Sequence, residues 1–218
     1  PFISPAIALF LGLALGMTAG QPFPKFSKKT SKYLLQFSVV GLGFGMNLHE
    51  SLRTGKEGML FTVVSVVAVL ALGMYLGKRL MMDRKTAYLI SAGTAICGGS
   101  AIAAVAPVVK ANDNEMSMSL GTIFILNAIA LFIFPPIGHL LGMSQEQFGM
   151  WAAIAIHDTS SVVGAGAAYG EQALEIATMV KLTRALWIIP VTIATMFIFK
   201  QKGAKISIPW FIFFFILA

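Results

Sequence analysis

Two polar clusters interrupt long apolar stretches of this sequence and carry side chains able to bind a ligand. The first is Cys97-Gly98-Gly99-Ser100 and the second is His157-Asp158-Thr159-Ser160-Ser161. A glycine in a helix costs about 1 kcal/mol relative to alanine, and an aspartate at the centre of a membrane helix costs about 2.5–3.5 kcal/mol. Both clusters therefore predict breaks in apolar helices. We expect Ser100 to cap one new half-helix and one of residues 158–160 to cap the other.

Two basic residues, Lys181 and Arg184, lie inside a third apolar stretch and share a helix face by their i, i+3 spacing. Residues 170–174 are predicted to form a turn, so Asp158 and Arg184 lie at similar depth in an antiparallel helix pair. A permanent Asp158–Arg184 pair that only holds the two helices together is one interpretation of this placement. Even in that case Lys181 has no acidic partner in these stretches.

The alternative interpretation is a site for a small oxyanion. Half-helix N-termini carry about half a positive charge each, Lys181 and Arg184 add two charges, and Asp158 subtracts one. The predicted substrate-binding residues are Gly98, Gly99, Ser100, Thr159, Ser160, Ser161, Lys181 and Arg184. His157 and Asp158 are candidates for carrying a coupling proton or ion. Asn47 and Cys97 are further candidates, although helix packing explains Asn47 as well.

The amino-acid composition indicates that membrane-spanning helices position these residues. Of 218 residues, 57% are hydrophobic and 11% charged, against roughly 25% charged in a soluble domain. Such a chain has too few polar residues to cover a water-facing surface, which predicts an all-α integral membrane protein of one transmembrane domain. Eight stretches are predicted to span the bilayer, the last incompletely: 3–20, 34–48, 59–77, 86–109, 119–143, 150–169, 174–199 and 206–218.

The basic residues predict the orientation of these spans. If every span crosses, eleven of the sixteen Lys and Arg residues fall in loops on one side, and only Arg53, Lys56 and Lys110 fall in loops on the other. The positive-inside rule then assigns the basic side to the cytoplasm and residue 1 to the outer side. The net charge of +7 thus indicates membrane topology, and we expect no nucleic-acid partner.

The two ends predict a truncated chain with an inverted repeat. The sequence opens with Pro1 and stops at Ala218 inside an apolar run. Setting Pro209 against Pro5 without gaps also matches Phe214 with Phe10, and the first and last spans run in opposite directions. This pattern is typical of secondary transporters that place discontinuous helices around a site at the bilayer centre.

The ordered set of polar clusters resembles the YeiH-type family of membrane carriers, which bears a sulfate-exporter label. The resemblance rests on residues 96–101 and 107–111, on Ile156-His157-Asp158, where relatives carry His-Glu, and on residues 180–184. It implies a bacterial inner-membrane carrier related to cation/proton antiporters and bile-acid symporters. The expected function is transport of a sulfate-like oxyanion by alternating access.

The same residues also raise an enzyme and a cation transporter as functions. Neighbouring side chains on a helix point about 100° apart, so Asp158 cannot orient His157 as a hydrolytic triad requires, and we predict no enzyme. A cation/proton antiporter or sodium-coupled symporter that uses Asp158 is the alternative function. The sequence predicts no cofactor and no metal site; the expected partners are the anion, lipid, and a proton or sodium ion, with a homodimer left open.

Overall fold

The computed structural model describes residues 48–199 continuously, with side chains from residue 62, and isolated positions between residues 11 and 37. The predicted spans 3–20, 34–48 (apart from Leu48) and 206–218, Asn47, and the match of Pro209 with Pro5 lie outside the continuous described part. That part is helical without strands, which confirms the all-α prediction for it. Its helices are α1 Leu48–Arg79, α2 Arg84–Ala95, α3 Gly99–Val109, α4 Asp113–Leu140, α5 Gln145–Ala155, α6 Thr159–Tyr169, α7 Glu171–Ala185 and α8 Ile188–Ile198.

Three helical segments of the described part are long and apolar enough to cross a membrane. They are Thr62–Arg79 within α1, all of α4, and Glu171–Ile198, which joins α7 to α8. Helix α7 packs against α5, α6 and α1. It therefore lies at the centre of the helix bundle, where its basic residues are shielded from lipid.

Helices α2 and α3 fold back on each other and form a hairpin, called the first hairpin here. A Cβ placed on Gly93 of α2 would lie 3.0 Å from the Ile102 side chain of α3. At the open end, Lys85 Nζ donates to the Lys110 carbonyl at 2.9 Å and lies 4.0 Å from Glu115. The start of α2, the end of α3 and the start of α4 are therefore at the same end of the bundle.

Helices α5 and α6 form a second hairpin at the other end of α4. The Tyr169 hydroxyl, at the end of α6, donates to the Met143 carbonyl just before α5 at 2.5 Å. The Tyr169 ring also stacks on Phe148 of α5 at a centroid distance of 3.8 Å. Near the C-terminus of α4, a Cβ on Gly138 would lie 2.5 Å from the Phe148 ring. The two hairpins thus enter the bundle from opposite ends.

This arrangement corrects the prediction that residues 86–109 and 150–169 each cross the membrane. Each hairpin helix has 11 or 12 residues. At 1.5 Å per residue such a helix rises about 17–18 Å, roughly half of a bilayer with its interfaces. The breaks at the predicted positions reverse the chain direction there, and the two halves return as a re-entrant hairpin. An apolar stretch of 25 residues has the same composition in either geometry.

The hairpin geometry also changes the predicted side of the loop that contains Lys110. Lys110 lies at the same end as Lys85, although strict alternation of spans predicts opposite sides. Residues 141–144, which change sides with it, contain no Lys or Arg. Because neither 86–109 nor 150–169 crosses, the two changes of side cancel, and the turn at Gly170 lies on the side that was predicted. The distribution of basic residues alone therefore gave no sign of either hairpin.

Polar N-caps mark the helices that begin at the ends of the bundle. Asp83 accepts from the backbone of Lys85 and Thr86 at the start of α2. The hydrogen bond from Thr86 N lowers the pKa of Asp83 below its ordinary value. Asn112 and Ser144 form capping boxes at the starts of α4 and α5. Each cap satisfies N–H groups that have no partner within the helix, as expected where a chain enters the bilayer from water.

The re-entrant geometry makes a labelling prediction. In a variant without Cys97, single cysteines at Arg79 and at Lys110 are expected to react with an impermeant maleimide from the same side of the membrane. A cysteine at Gly142 is expected to react from the opposite side, because it follows the C-terminus of α4. Labelling of the Lys110 and Arg79 positions from opposite sides would instead restore a crossing span.

Candidate functional site

The tips of the two hairpins meet inside the bundle. The first tip comprises residues 96–98 and the second comprises residues 156–158, each lying between two helices. A Cβ placed on Gly98 would lie 3.3 Å from the His157 carbonyl oxygen and 3.2 Å from Ile123 of α4. We call this contact region, with the side chains that α4 and α7 direct to it, the hairpin junction.

Four helix ends converge at the hairpin junction. Helices α2 and α5 end there, and helices α3 and α6 begin there. Two C-termini carry about −0.5 charge each and two N-termini about +0.5 each, so these partial charges cancel to first order. The positive charge predicted from the sequence came in part from the two N-termini, without the two C-termini. The balance at the junction consequently depends on the side chains.

The predicted basic residues compensate the two C-termini. Lys181 is 0% exposed, and its Nζ donates to the carbonyls of Ile156 at 2.7 Å and Ala153 at 3.4 Å. Arg184 is 1% exposed and donates from Nη1 to Ile154 O at 3.0 Å and from Nη2 to Ala95 O at 2.6 Å. Among the described residues, Arg184 therefore hydrogen-bonds to the first helix of each hairpin, whereas Lys181 hydrogen-bonds to the second hairpin alone.

Asp158 compensates the N-terminus of α6. One of its carboxylate oxygens accepts from Ser160 N at 3.1 Å and from Ser161 N at 3.3 Å, and also from the Ser160 hydroxyl. Among the three cap residues predicted for this half-helix, Asp158 is the one observed. Within the described residues neither Arg184 nor Lys181 forms an ion pair with it. The contacts of Arg184 are carbonyl oxygens, so a permanent Asp158–Arg184 pair is not formed here.

The N-terminus of α3 differs from that of α6. Its cap residue is Gly98, with φ +67° and ψ −123°, and no side chain caps the helix. The prediction that Ser100 is the N-cap was wrong, because α3 begins at Gly99 and places Ser100 inside the first turn. The Ser100 hydroxyl instead lies 3.3 Å from the buried Cys97 sulfur. The positive end of α3 is thus left without side-chain compensation.

Exposure separates the predicted hydroxyl groups. Ser100 and Ser160, at equivalent places after the two tips, are exposed. Thr159 is buried and Ser161 is half-buried. Ser100 and Ser160 are therefore the exposed hydroxyls among these residues, whereas Lys181 and Arg184 are buried.

One junction residue was not found from sequence. Asn127 of α4 is 2% exposed, and its Oδ1 accepts from His157 N at 2.9 Å and from Asp158 N at 3.3 Å. It thereby ties the second tip to a crossing helix. A single amide in the middle of an apolar run was the available signal, since a buried amide in a membrane helix needs a partner.

Buried polar atoms without partners concentrate at the junction. Within the described part, four such side-chain atoms occur: Asn127 Nδ2, His157 Nδ1, Arg184 Nε and Thr192 Oγ1. The first three belong to residues of the junction, and each can donate a hydrogen bond. No group of three or more His, Cys, Asp or Glu residues in the described part could hold a metal ion.

Comparison with known proteins identifies the family. A family model described as conserved hypothetical protein 698 matches residues 2–218. A UPF0324 membrane protein of Bacteroides thetaiotaomicron is 71% identical over 218 residues, which cover all of this chain and 66% of the relative. A UPF0324 membrane protein of Porphyromonas gingivalis is 60% identical over 217 residues, covering 99% of this chain and 66% of the relative.

The match extends across the chain but not across the relatives. The chain spans about two thirds of their length, at 66% for both. No solved structure matches it. The names of these relatives and the apolar helices described above agree on a membrane protein. The family resemblance seen in the sequence is confirmed: the chain belongs to the conserved hypothetical protein 698 family of membrane proteins.

Proposed function

We propose that this chain forms the central part of a secondary carrier that moves a small anion across the bacterial inner membrane by alternating access. A sulfate-like oxyanion is the favoured substrate, and the hairpin junction is its binding site. The observation that carries the proposal is the group of unpartnered, donor-capable atoms at the junction. Among the described residues, three buried side-chain nitrogens there, on Asn127, His157 and Arg184, have no hydrogen-bond partner, and the N-terminus of α3 has no side-chain cap.

Formal charge supports an anion. Lys181 and Arg184 contribute two positive charges at the junction, against one negative charge from Asp158. Because the four helix ends cancel, this difference is the main long-range term at the site. The basic side chains act at this site through their charge and through the carbonyls they hold, while exposed Ser100 and Ser160 supply direct contacts.

The spacing of the two hairpins supports an inverted-repeat carrier. Helices α2 and α5 end sixty residues apart, at Ala95 and Ala155, and helices α3 and α6 also begin and end sixty residues apart. The same offset superimposes Ile96 on Ile156 and Ser100 on Ser160. Two equivalent hairpins that enter from opposite ends would give a centrally bound substrate equivalent routes to both sides.

The cation-coupled alternative has weaker support. A sodium site needs several free oxygen ligands, and one of the two Asp158 carboxylate oxygens already accepts from two backbone N–H groups and a hydroxyl. We therefore place a coupling proton or ion at His157 or Asp158 as a secondary role of an anion carrier.

Transport measurements test this function. The full-length protein in liposomes is expected to catalyse saturable counterflow of an oxyanion in a panel of sulfate, sulfite, sulfonates and carboxylates. Ser100→Ala is expected to raise the anion Kd about 10- to 100-fold, the value of a lost hydrogen bond to a charge. Ser117→Ala, on an exposed position of α4, is the matched control and should leave Kd unchanged.

Imposed pH and sodium gradients extend the same assay. Anion uptake that follows a pH gradient and loses that dependence in Asp158→Asn would assign proton coupling to the junction. Sodium or proton flux without any anion requirement would contradict the anion carrier and favour the cation antiporter.

A further inference from the structure

We infer that Asn127 is a substrate-binding residue, whose Nδ2 donates to the bound anion while its Oδ1 holds the second hairpin tip. This inference rests on the proposed anion carrier and names a contact that determines its selectivity. Asn127 lies on α4, outside both polar clusters of the sequence, and it is 98% buried by its exposure of 2%.

The orientation of the Asn127 amide is defined by its partners. Two backbone donors, His157 N and Asp158 N, lie 2.9 Å and 3.3 Å from one end of the amide, so that end must be the oxygen. The other end is therefore the NH2 group. It has no hydrogen-bond partner, although it is inaccessible to bulk water. A buried amide nitrogen without an acceptor is unusual in a folded protein and indicates a missing partner.

The surroundings of Asn127 show what that partner can be. His157 contacts Asn127 through its backbone N–H and Gly98 through its carbonyl oxygen, so the amide lies beside the meeting point of the two tips. Ile123, one turn before Asn127, approaches Gly98, and Phe124 approaches Gly99 at the start of α3. Helix α4 thus borders both the amide and the uncapped end of α3.

The partner must supply acceptor atoms and negative charge. An anion attracted to the positive end of α3 can direct a second oxygen to Asn127 Nδ2. A polyatomic oxyanion has separate oxygens for the two contacts, whereas a halide has a single acceptor atom. We therefore expect the junction to select oxyanions over chloride, with Asn127 responsible for part of that selectivity.

Asn127→Asp separates the two functions of the side chain. The substitution keeps an oxygen for His157 N and Asp158 N but replaces the donor by an acceptor. We expect the sulfate Kd of the full-length protein, measured by calorimetry or thermal shift, to rise at least 10-fold. The ratio of chloride to sulfate affinity is expected to rise with it. Asn114→Asp, at an exposed position of α4, is the control and should change neither value.

A second variant tests the same inference if Asn127→Asp does not fold. Threonine at this position has a hydroxyl that can accept from the tip while its own hydrogen bonds to the carbonyl four residues earlier, as Thr122 does with Met118. Asn127→Thr is expected to show the same loss of sulfate affinity.

The outcomes distinguish the inference from the proposed function. Wild-type protein that binds no oxyanion overturns both. A second outcome overturns the role of Asn127 alone. In it, the wild-type protein binds sulfate, and a folded variant has a sulfate Kd and a chloride-to-sulfate affinity ratio within twofold of the wild-type values. Loss of sulfate affinity without a change in melting temperature supports a direct contact, because a merely structural amide would lower stability first.

Discussion

Replacement of Arg184 by Gln is expected to abolish transport and to lower the free energy of unfolding by roughly 3–6 kcal/mol. The guanidinium donates to Ala95 O on the first hairpin and to Ile154 O on the second. Hydrogen bonds to a charged group are worth about 1.5–3 kcal/mol each, and both carbonyls would remain buried without it. Among the described side chains Arg184 is the one that donates to both hairpins, so its loss frees the two tips from each other.

Replacement of Arg184 by Lys is expected to cause an intermediate loss of stability. The ammonium group of Arg184→Lys can reach one carbonyl well but lacks the planar fork that spans two. About half of the loss in unfolding free energy is therefore expected, measured by thermal denaturation in detergent together with liposome flux. Arg79→Lys is the matched control, since Arg79 is exposed and bonds to Tyr75 of its own helix. Wild-type stability and flux in Arg184→Lys would show that the bridge between the hairpins is not needed.

Alanine at Gly98 is expected to destabilise the protein by about 1–3 kcal/mol and to reduce transport at least tenfold. Gly98 has φ +67° and ψ −123°, which side-chain-bearing residues rarely adopt. An added Cβ would also lie 3.3 Å from the His157 carbonyl oxygen. Backbone atoms of the opposite tip cannot move away without disturbing the Asn127 contacts. The strain therefore falls on the junction itself.

Gly99→Ala is the control for Gly98→Ala. Gly99 is already helical, and the nearest atoms to its Cβ would be the ends of Phe124 and Leu120, at 3.3 Å and 3.4 Å. These side chains can rotate, so a small effect on melting temperature and flux is expected. Equal loss in both variants would mean that the glycine pair serves general helix packing, and that Gly98 has no special role at the tip.

The positions of the helix breaks could be predicted from residue types. The glycine pair at residues 98–99 and the polar run at residues 157–161 are unfavourable in apolar helices wherever the chain goes next. The sequence also predicted that Lys181 and Arg184 lie at the depth of the second break, because the number of residues on each side of the turn at Gly170 is similar. These predictions depend on local chemistry and helix geometry, both of which are contained in the sequence.

The direction of the chain after each break could not be predicted in this way. A crossing span and a re-entrant hairpin of 25 residues have the same composition, and the loop at residues 141–144 has no charge to reveal the difference. Ser100 was predicted as a cap because serine favours that position, but the cap is Gly98, so α3 starts two residues earlier.

The sequence by itself determined the class of this protein, the places where its helices break, and the excess of basic over acidic groups at the breaks. Apolar length, glycine and buried charge produce these features locally. Only the tertiary structure decided that the breaks face each other, that Lys181 and Arg184 hold carbonyls, and that Asn127 of α4 completes the junction. Those features depend on contacts between residues 25 to 89 positions apart, whose partners are selected by packing.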